Sequence, residues 1–256
     1  MTSSSPRPRN ALVTGASSGL GRALALGLGH EGWRVVLVAR RQRELERCAS
    51  AVRAGGAEAI VGVLDVGDTT RCVSTIRDWD AQLGGLDLVI ANAGVGPAHG
   101  HSPLSWEALA GPCHVNYCGA VATLTAVLPR MVERGHGHLV GISSLSSFGA
   151  LPGSGAYCSP KAGLNMMLDC LRLDCEPQGV AVTTVHAGFI DTPMVAHRAE
   201  AMPQLMSVDE AARRILAALR DRPAHVDFPQ PLAWLARAGA QLPRPIRDRL
   251  VRRAVK

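Results

Sequence analysis

Aromatic residues, long apolar runs and paired cysteines are what this 256-residue chain has least of. Aromatic side chains make up 4% of the sequence, so aliphatic residues and alanine must fill the core. No apolar run approaches the ~18 residues that a membrane-spanning helix needs, and the first ten residues lack the apolar stretch of a secretory signal. We therefore expect a disordered arm over residues 1–10 and a cytoplasmic protein.

The seven cysteines are odd in number and scattered, which argues against a disulfide framework. Cys113 with Cys118, and Cys170 with Cys175, have C-x4-C spacing, but no histidine is placed with either pair as in a zinc site. The histidines fit no metal-binding motif either. We therefore predict free thiols in a reducing compartment and no metal.

The net charge of +6 is concentrated in residues 231–256, which contain seven basic residues and one acid. The excess belongs to one segment, so it does not predict a nucleic-acid-binding face. This extension also carries apolar residues at helical spacing, namely Leu232, Leu235, Ala238 and Leu242 on one face, then Ile246 and Leu250. We predict a basic amphipathic extension that packs over the substrate pocket or on a second subunit. Contact with an anionic membrane surface is the second alternative.

Short apolar strands alternate with helical segments along residues 11–230. The predicted strands begin at Ala11 and then cover Arg34–Ala39, Ala59–Asp65, Leu86–Gly94 with its turn, His138–Ser144, Val180–Gly188 and Ala224–Phe228. One long helix is expected from about Cys113 to Arg134. Near-continuously apolar strands are typical of a parallel sheet covered on both faces. We predict an α/β fold, a Rossmann-like doubly wound parallel sheet of about seven strands, in a single domain.

The stretch Thr14–Gly21, TGASSGLG, fits two unrelated chemistries. Its GASSG core matches the nucleophile elbow of α/β-hydrolases, which would make Ser17 a nucleophile. That fold takes one oxyanion-hole N–H from an earlier strand–helix loop, and no such loop precedes Ser17. Alternatively, Gly15, Gly19 and Gly21 allow backbone N–H groups and a helix N-terminus to approach a pyrophosphate. The position of this turn directly after the first strand favours the dinucleotide site.

Four polar residues further along the chain complete a pattern with this turn. Tyr157 and Lys161 lie four residues apart, so on a helix both side chains share one face. Ser144 lies thirteen residues before Tyr157 at the end of a predicted strand, and Asn116 lies upstream in a long helix. With Thr-Gly-x-x-x-Gly-x-Gly, these residues resemble the short-chain dehydrogenase/reductase (SDR) family, over the chain up to about residue 228. The resemblance implies that they form a catalytic tetrad.

The chemistry of that family gives each member of the tetrad a role. Tyr157 would exchange a proton with the substrate oxygen as hydride moves to or from carbon, a nearby cation lowering its pKa from about 10. Ser144 would hydrogen-bond the same oxygen, whereas strand alternation points Ser143 to the other face. By resemblance, Lys161 also holds the nicotinamide ribose, and Asn116 supports a water that relays protons to Lys161.

The resemblance places the other cofactor contacts at strand ends. The implied cofactor-binding set is Gly15, Ser17, Ser18, Gly19, Leu20, Gly21, Asp65, Val66, Asn92, Ala93, Gly94, Tyr157, Lys161, Gly188, Ile190 and Thr192. Within it, Asp65 would bind the adenine amino group, and Ile190 and Thr192 the nicotinamide amide. Two positions depart from the family pattern, because Ala91 replaces the first Asn of an N-N-A-G turn and Ala187 replaces a proline.

The end of the second strand bears on the choice of cofactor. NAD-binding enzymes place an acid there to accept from the ribose 2′-hydroxyl, but this chain has Ala39 followed by Arg40 and Arg41. A guanidinium pairs bidentately with a 2′-phosphate, and the Ser18 hydroxyl can also donate to it. The alternative is that both arginines open a solvated helix. We predict NADP(H) rather than NAD(H).

These features predict an NADP(H)-dependent oxidoreductase. It would interconvert a carbonyl group (a ketone or an aldehyde) and an alcohol on an apolar substrate. The alternative is a non-catalytic NADP(H)-binding regulatory protein on the same fold, against which the complete tetrad argues. By resemblance, a substrate lid spans about residues 193–207, where Met194, Met202 and Met206 suggest a flexible apolar wall; ordinary loop packing is an equal alternative. The family also implies a homodimer or homotetramer through the helices after the fourth and fifth strands.

Overall fold

A computed structural model describes residues 8–96, 105–194 and 204–254 of the chain. The strands in these ranges are β1 Asn10–Thr14, β2 Arg34–Ala39, β3 Ala59–Val63, β4 Leu88–Ala91, β5 Gly137–Ser144, β6 Val180–Ala187 and β7 His225–Phe228. They form one parallel sheet in the order β3-β2-β1-β4-β5-β6-β7. The predicted α/β, Rossmann-like sheet of seven strands is confirmed. Its strand order reverses between β1 and β4, which is where such sheets bind ligands.

Helices connect the strands and cover both faces of the sheet. They are α1 Gly19–His30, α2 Gln42–Ala54, α3 Thr69–Gln82, α4 Trp106–Cys113, α5 Ala120–Thr125, α6 Leu128–Arg134, α7 Gly155–Cys175, α8 Val208–Leu219, α9 Gln230–Gln241 and α10 Arg244–Ala254. Side chains alternate across β1, so Ala11 and Val13 join one buried cluster and Leu12 joins the other. The first cluster contains Leu24 of α1 and the second contains Leu164 of α7.

The parallel register brings the predicted site residues to one edge of the sheet. Val13 pairs with Ile90, so the turn after β1 lies beside the turn after β4. Ser144, at the end of β5, pairs with Ala187 at the end of β6. All of these positions lie at carboxyl ends of strands, so the sheet itself assembles the site.

The predicted long helix over residues 113–134 is divided in the structure. Helix α4 begins at Trp106, a π-helical segment covers His114–Gly119, and a break separates α5 from α6. Pro112 has no N–H to donate inside the helix, and Pro129 in the first turn of α6 accounts for the later break. π-helical segments often mark functional positions, and this one contains Asn116.

Helix α9 of the C-terminal extension packs through Ala233, which is 2% exposed, and leaves Leu235 70% exposed. Arg237, four residues after Ala233, forms an ion pair with Asp227. In the described ranges, none of the helices is long and apolar enough to cross a membrane.

Candidate active site

The glycine turn after β1 is closely packed against the turn after β4. Gly15 and Gly19 have φ angles of 72° and 52°, a conformation that favours glycine. A Cβ on Gly21 would collide with the Gly15 carbonyl oxygen, and one on Gly15 would lie 2.8 Å from Asn92 Nδ2. Side chains at these glycine positions would therefore fill the space through which a ligand reaches the N-terminus of α1.

Thr14, which the sequence analysis did not assign a role, joins the two turns. Its hydroxyl oxygen accepts hydrogen bonds from the backbone N–H groups of Asn92 and Ala93, each over 3.0 Å. The Asn92 side chain in turn donates to the Thr14 carbonyl over 2.9 Å. Asn92 therefore braces the turn after β4 against the end of β1.

Arg41 and Arg40 differ in their contacts. A single Arg41 nitrogen, Nη2, donates to Ser17 Oγ over 2.8 Å and to Ser18 Oγ over 2.7 Å. Arg40 is directed to Asp65, with 3.6 Å between Nη1 and Oδ2. Arg41 therefore belongs to the glycine turn, whereas Arg40 lies over the end of β3.

A cleft of about 250 Å³ opens between these turns. Most of the predicted cofactor-binding residues line it: Gly15, Ser17, Ser18, Gly19, Leu20, Gly21, Arg40, Arg41, Asp65, Val66, Asn92, Ala93, Gly94 and Thr192. The glycine cradle, the helix N-terminus and the guanidinium at its rim fit a phosphate-containing dinucleotide. Tyr157, Lys161, Gly188 and Ile190 lie outside the lining of this cleft.

Ser144, Tyr157 and Lys161 meet where β5 ends and α7 begins. The Ser144 side chain interacts with the Tyr157 phenol, and this interaction lowers the pKa of the phenol. Lys161 Nζ lies 5.8 Å from the centre of the Tyr157 ring and donates to the Ile142 carbonyl over 2.6 Å. The buried Lys161 ammonium thus lies on the same side of α7 as Tyr157, one helical turn further along.

The pKa of Tyr157 moves in the opposite direction to the one expected from the sequence. Burial raises this pKa, and the hydrogen bond from Ser144 offsets the rise only in part. Burial also lowers the pKa of Lys161 to about 8. The expectation of a lowered Tyr157 pKa was wrong because it counted the cation and omitted desolvation of the phenol.

Asn116 lies in the π-helical segment with both polar atoms of its side chain engaged. Its Oδ1 accepts from the Val95 N–H over 2.8 Å, and its Nδ2 donates to the Val95 carbonyl over 2.9 Å. A Cβ on Gly94 would lie 3.2 Å from Asn116 Oδ1 and 3.8 Å from Lys161 Nζ. Asn116 therefore clamps the chain after β4 beside Lys161.

A serine and asparagine network, absent from the sequence-based site, surrounds Ser144. The Ser146 hydroxyl donates to Ser144 Oγ over 2.9 Å. The Ser147 hydroxyl donates to the Ser144 carbonyl and accepts from Asn165 Nδ2 over 2.8 Å. Ser143 Oγ donates to Asn165 Oδ1. No sequence signal distinguishes these serines from loop residues, because their role depends on the 3₁₀ turn at Leu145–Phe148.

The segment after β6 lies against both the glycine turn and β7. A Cβ on Gly19 would lie 3.2 Å from Thr192 Cγ2, and the Gly188 N–H donates to the Phe228 carbonyl over 2.8 Å. Of the predicted lid residues, Met194 lines the cleft, whereas Met206 is buried in the core. Met202 lies outside the described residues.

Helix α9 is fastened beside the loop that follows Ser144. Arg237 Nη2 lies 2.7 Å from Asp227 Oδ2, and its guanidinium lies 4.8 Å from the centre of the Phe148 ring. The buried His186 contacts the other Asp227 oxygen over 2.6 Å. The extension therefore contacts, through Phe148, the 3₁₀ turn that follows Ser144.

Comparison with known proteins identifies the family. A sequence model described as short chain dehydrogenase matches residues 9–203. The chain belongs to the short-chain dehydrogenase family. An uncharacterized oxidoreductase from Myxococcus xanthus is 43% identical over 245 residues, covering 96% of this chain and 97% of that protein. A probable oxidoreductase, EphD, from Mycobacterium bovis is 37% identical over 185 residues, which cover 72% of this chain and 31% of that protein.

Solved structures agree with this assignment. A short-chain dehydrogenase from Sphingobium yanoikuyae in complex with NADPH has a TM-score of 0.81 and 27% identity, covering 91% of this chain and 93% of that one. Other proteins with the same fold hold NAD. This SDR is an enzyme, an oxidoreductase that acts with a nicotinamide cofactor.

Proposed function

We propose that this SDR interconverts a carbonyl and an alcohol with NADP(H), through a single domain spanning residues 11–230. The observation that carries the proposal is the meeting of Ser144, Tyr157 and Lys161 at the sheet edge that also forms the glycine-lined cleft. When bound, the nicotinamide cofactor supplies or accepts the hydride. The residues of the chain must therefore bind the substrate oxygen and move one proton.

Tyr157 suits the proton transfer at the substrate oxygen. Its raised pKa keeps the phenol protonated at neutral pH, and a protonated phenol is the form that donates when a carbonyl is reduced. The O–H bond of Tyr157 breaks, its proton bonds to the substrate oxygen, and the phenolate that remains lies near the Lys161 ammonium. Ser144 holds the same oxygen by a second hydrogen bond.

The contacts of Arg41 support NADP(H). An acid at the end of β2 would repel a 2′-phosphate, but that position is Ala39. Arg41 lies on the glycine turn with Ser17 and Ser18, so one guanidinium and two hydroxyl groups converge at the cleft. Three converging donors match the acceptor oxygens of a phosphate monoester.

An apolar groove on the helices supports a homo-oligomer. It has a volume of about 640 Å³ and is lined by residues that include Trp106, Leu109, Tyr117, Pro160 and Gly163. The Trp106 side chain is 75% exposed there. A second copy of the chain that packs α4 and α7 against their counterparts would cover this groove.

The proposal is tested by titrating the protein with NADPH and with NADH, and by screening a carbonyl panel for turnover. We expect tighter binding of NADPH, and turnover that falls at least about a hundredfold in Tyr157→Phe, which lacks the transferable proton. Tyr157→Phe should still bind NADPH, so lost turnover with retained binding separates chemistry from folding. Tighter NADH binding, or full activity of Tyr157→Phe, would refute the corresponding part of the proposal.

A further inference from the structure

The two C-terminal helices expose apolar side chains although α9 is firmly attached. Trp234 and Leu235 of α9 are 74% and 70% exposed. Ala233 and Arg237 hold the opposite side of this helix against the protein. Since that contact fixes the rotation of α9, Trp234 and Leu235 face outward as a consequence of the packing.

Helix α10 combines exposed apolar residues with a high positive charge. Its eleven residues include five arginines and one aspartate. Ile246 and Leu250, four residues apart and each about half exposed, form one stripe. Arg249 and Arg253, both exposed, lie four residues apart along the flank of that stripe.

The positive charge of α10 indicates which kind of partner can bind these two helices. A two-fold contact between copies of α10 would place like charges opposite one another, which is unfavourable. Nucleic acid would pair with the arginines but leave Trp234 and Leu235 in water. The interface of an anionic bilayer satisfies both features, since it accepts apolar side chains at the headgroup level and attracts arginines by its surface potential.

We propose that residues 230–254 form a peripheral docking surface for membranes rich in anionic phospholipid. Trp234, Leu235, Ile246 and Leu250 enter the interface, and the α10 arginines contact the phosphates. Because α9 contacts the 3₁₀ turn after Ser144 through Arg237 and Phe148, the membrane would lie on the substrate side of the molecule.

Co-sedimentation of the full chain with vesicles tests the proposal. One set of vesicles is phosphatidylcholine alone, and the other contains phosphatidylglycerol as well. We expect binding to the anionic vesicles that weakens as salt is raised. Arg249→Gln with Arg253→Gln should weaken that binding about thirtyfold, and Trp234→Ser with Leu235→Ser should also weaken it.

A matched variant provides the control. Arg43→Gln with Arg47→Gln removes two exposed arginines at the same spacing from α2. This variant should bind vesicles like the wild-type chain. Equal binding to both kinds of vesicle, no binding, or an equal loss in the control variant would overturn the proposal. Thermal unfolding and NADPH binding identify any variant that fails to fold.

Discussion

The hydroxyl of Ser146 donates a hydrogen bond to the hydroxyl oxygen of Ser144 over 2.9 Å, and the Ser146 backbone N–H approaches the same atom within 3.2 Å. Both contacts use lone pairs of Ser144. The Ser144 proton therefore stays available for Tyr157 or for a substrate oxygen. Ser146 thus acts as a positioning residue for a side chain in the proposed catalytic group.

Ser146→Ala should lower kcat about tenfold, because it removes one hydrogen bond of roughly 1 to 1.5 kcal/mol from the Ser144 oxygen. Steady-state kinetics on a substrate found in the carbonyl panel, together with NADPH titration, measures this. NADPH affinity should not change, since Ser146 does not line the cofactor cleft. Ser50→Ala, an exposed position on α2, serves as the control. An unchanged kcat, or weakened NADPH binding, would contradict this role.

Arg41→Gln should weaken NADPH binding about thirtyfold and leave NADH binding nearly unchanged, because a hydrogen bond to a charged group is worth roughly 1.5 to 3 kcal/mol. Arg40→Gln is the matched control, and we expect a smaller loss because Arg40 faces Asp65 rather than the glycine turn. Calorimetric titration of each variant with both cofactors provides the measurement. The assignment fails if Arg40→Gln has the larger effect, or if both variants lose NADH binding equally.

The sheet could be predicted from the sequence because buried parallel strands consist of short apolar runs. His138–Ser144 was expected, and β5 is Gly137–Ser144; Val180–Gly188 was expected, and β6 ends one residue earlier. The position of the cleft could also be predicted, because the glycine turn is a local sequence pattern like the apolar strands. The register of the sheet then brings the residues of the cleft to one edge.

Features that depend on contacts between distant residues were not predictable. The π-helical segment contains Asn116, whose side chain bonds to Val95, a residue that lies 21 positions earlier in the sequence. The face that α9 packs depends on Arg237 reaching Asp227, ten residues earlier. Apolar spacing placed Leu235 on one face of a helix, but spacing alone does not show which face packs against the rest of the chain.

His138 should make the stability of the fold depend on pH. Its Nε2 lies 2.8 Å from Thr183 Oγ1, which itself donates to the Pro223 carbonyl, so the histidine donates as the neutral form. Burial lowers its pKa from 6.5 to about 4. Between those values the unfolded chain binds more protons than the folded one, so stability falls as pH falls through this window and levels off below it.

The expected contribution of His138 is about 3 kcal/mol across that window. Glutamine keeps a side-chain N–H donor and does not titrate, so His138→Gln should show a shallower loss of stability than the wild-type chain. Urea denaturation at a series of pH values from 6.5 to 4 measures the difference. His30→Gln, on the surface of α1, should follow the wild-type curve. Parallel curves for His138→Gln and the wild-type chain would contradict the assignment.

Trp106 should decide the oligomeric state. Trp106→Glu places a carboxylate in the proposed subunit interface, where each charge would be desolvated and, in a two-fold contact, would meet its own copy. We expect smaller assemblies by size-exclusion chromatography with light scattering. Trp234→Glu is the matched control, because Trp234 is 74% exposed and Trp106 is 75% exposed. If Trp234→Glu dissociates the protein and Trp106→Glu does not, then α9 forms the subunit interface, and the membrane assignment of that face fails with it.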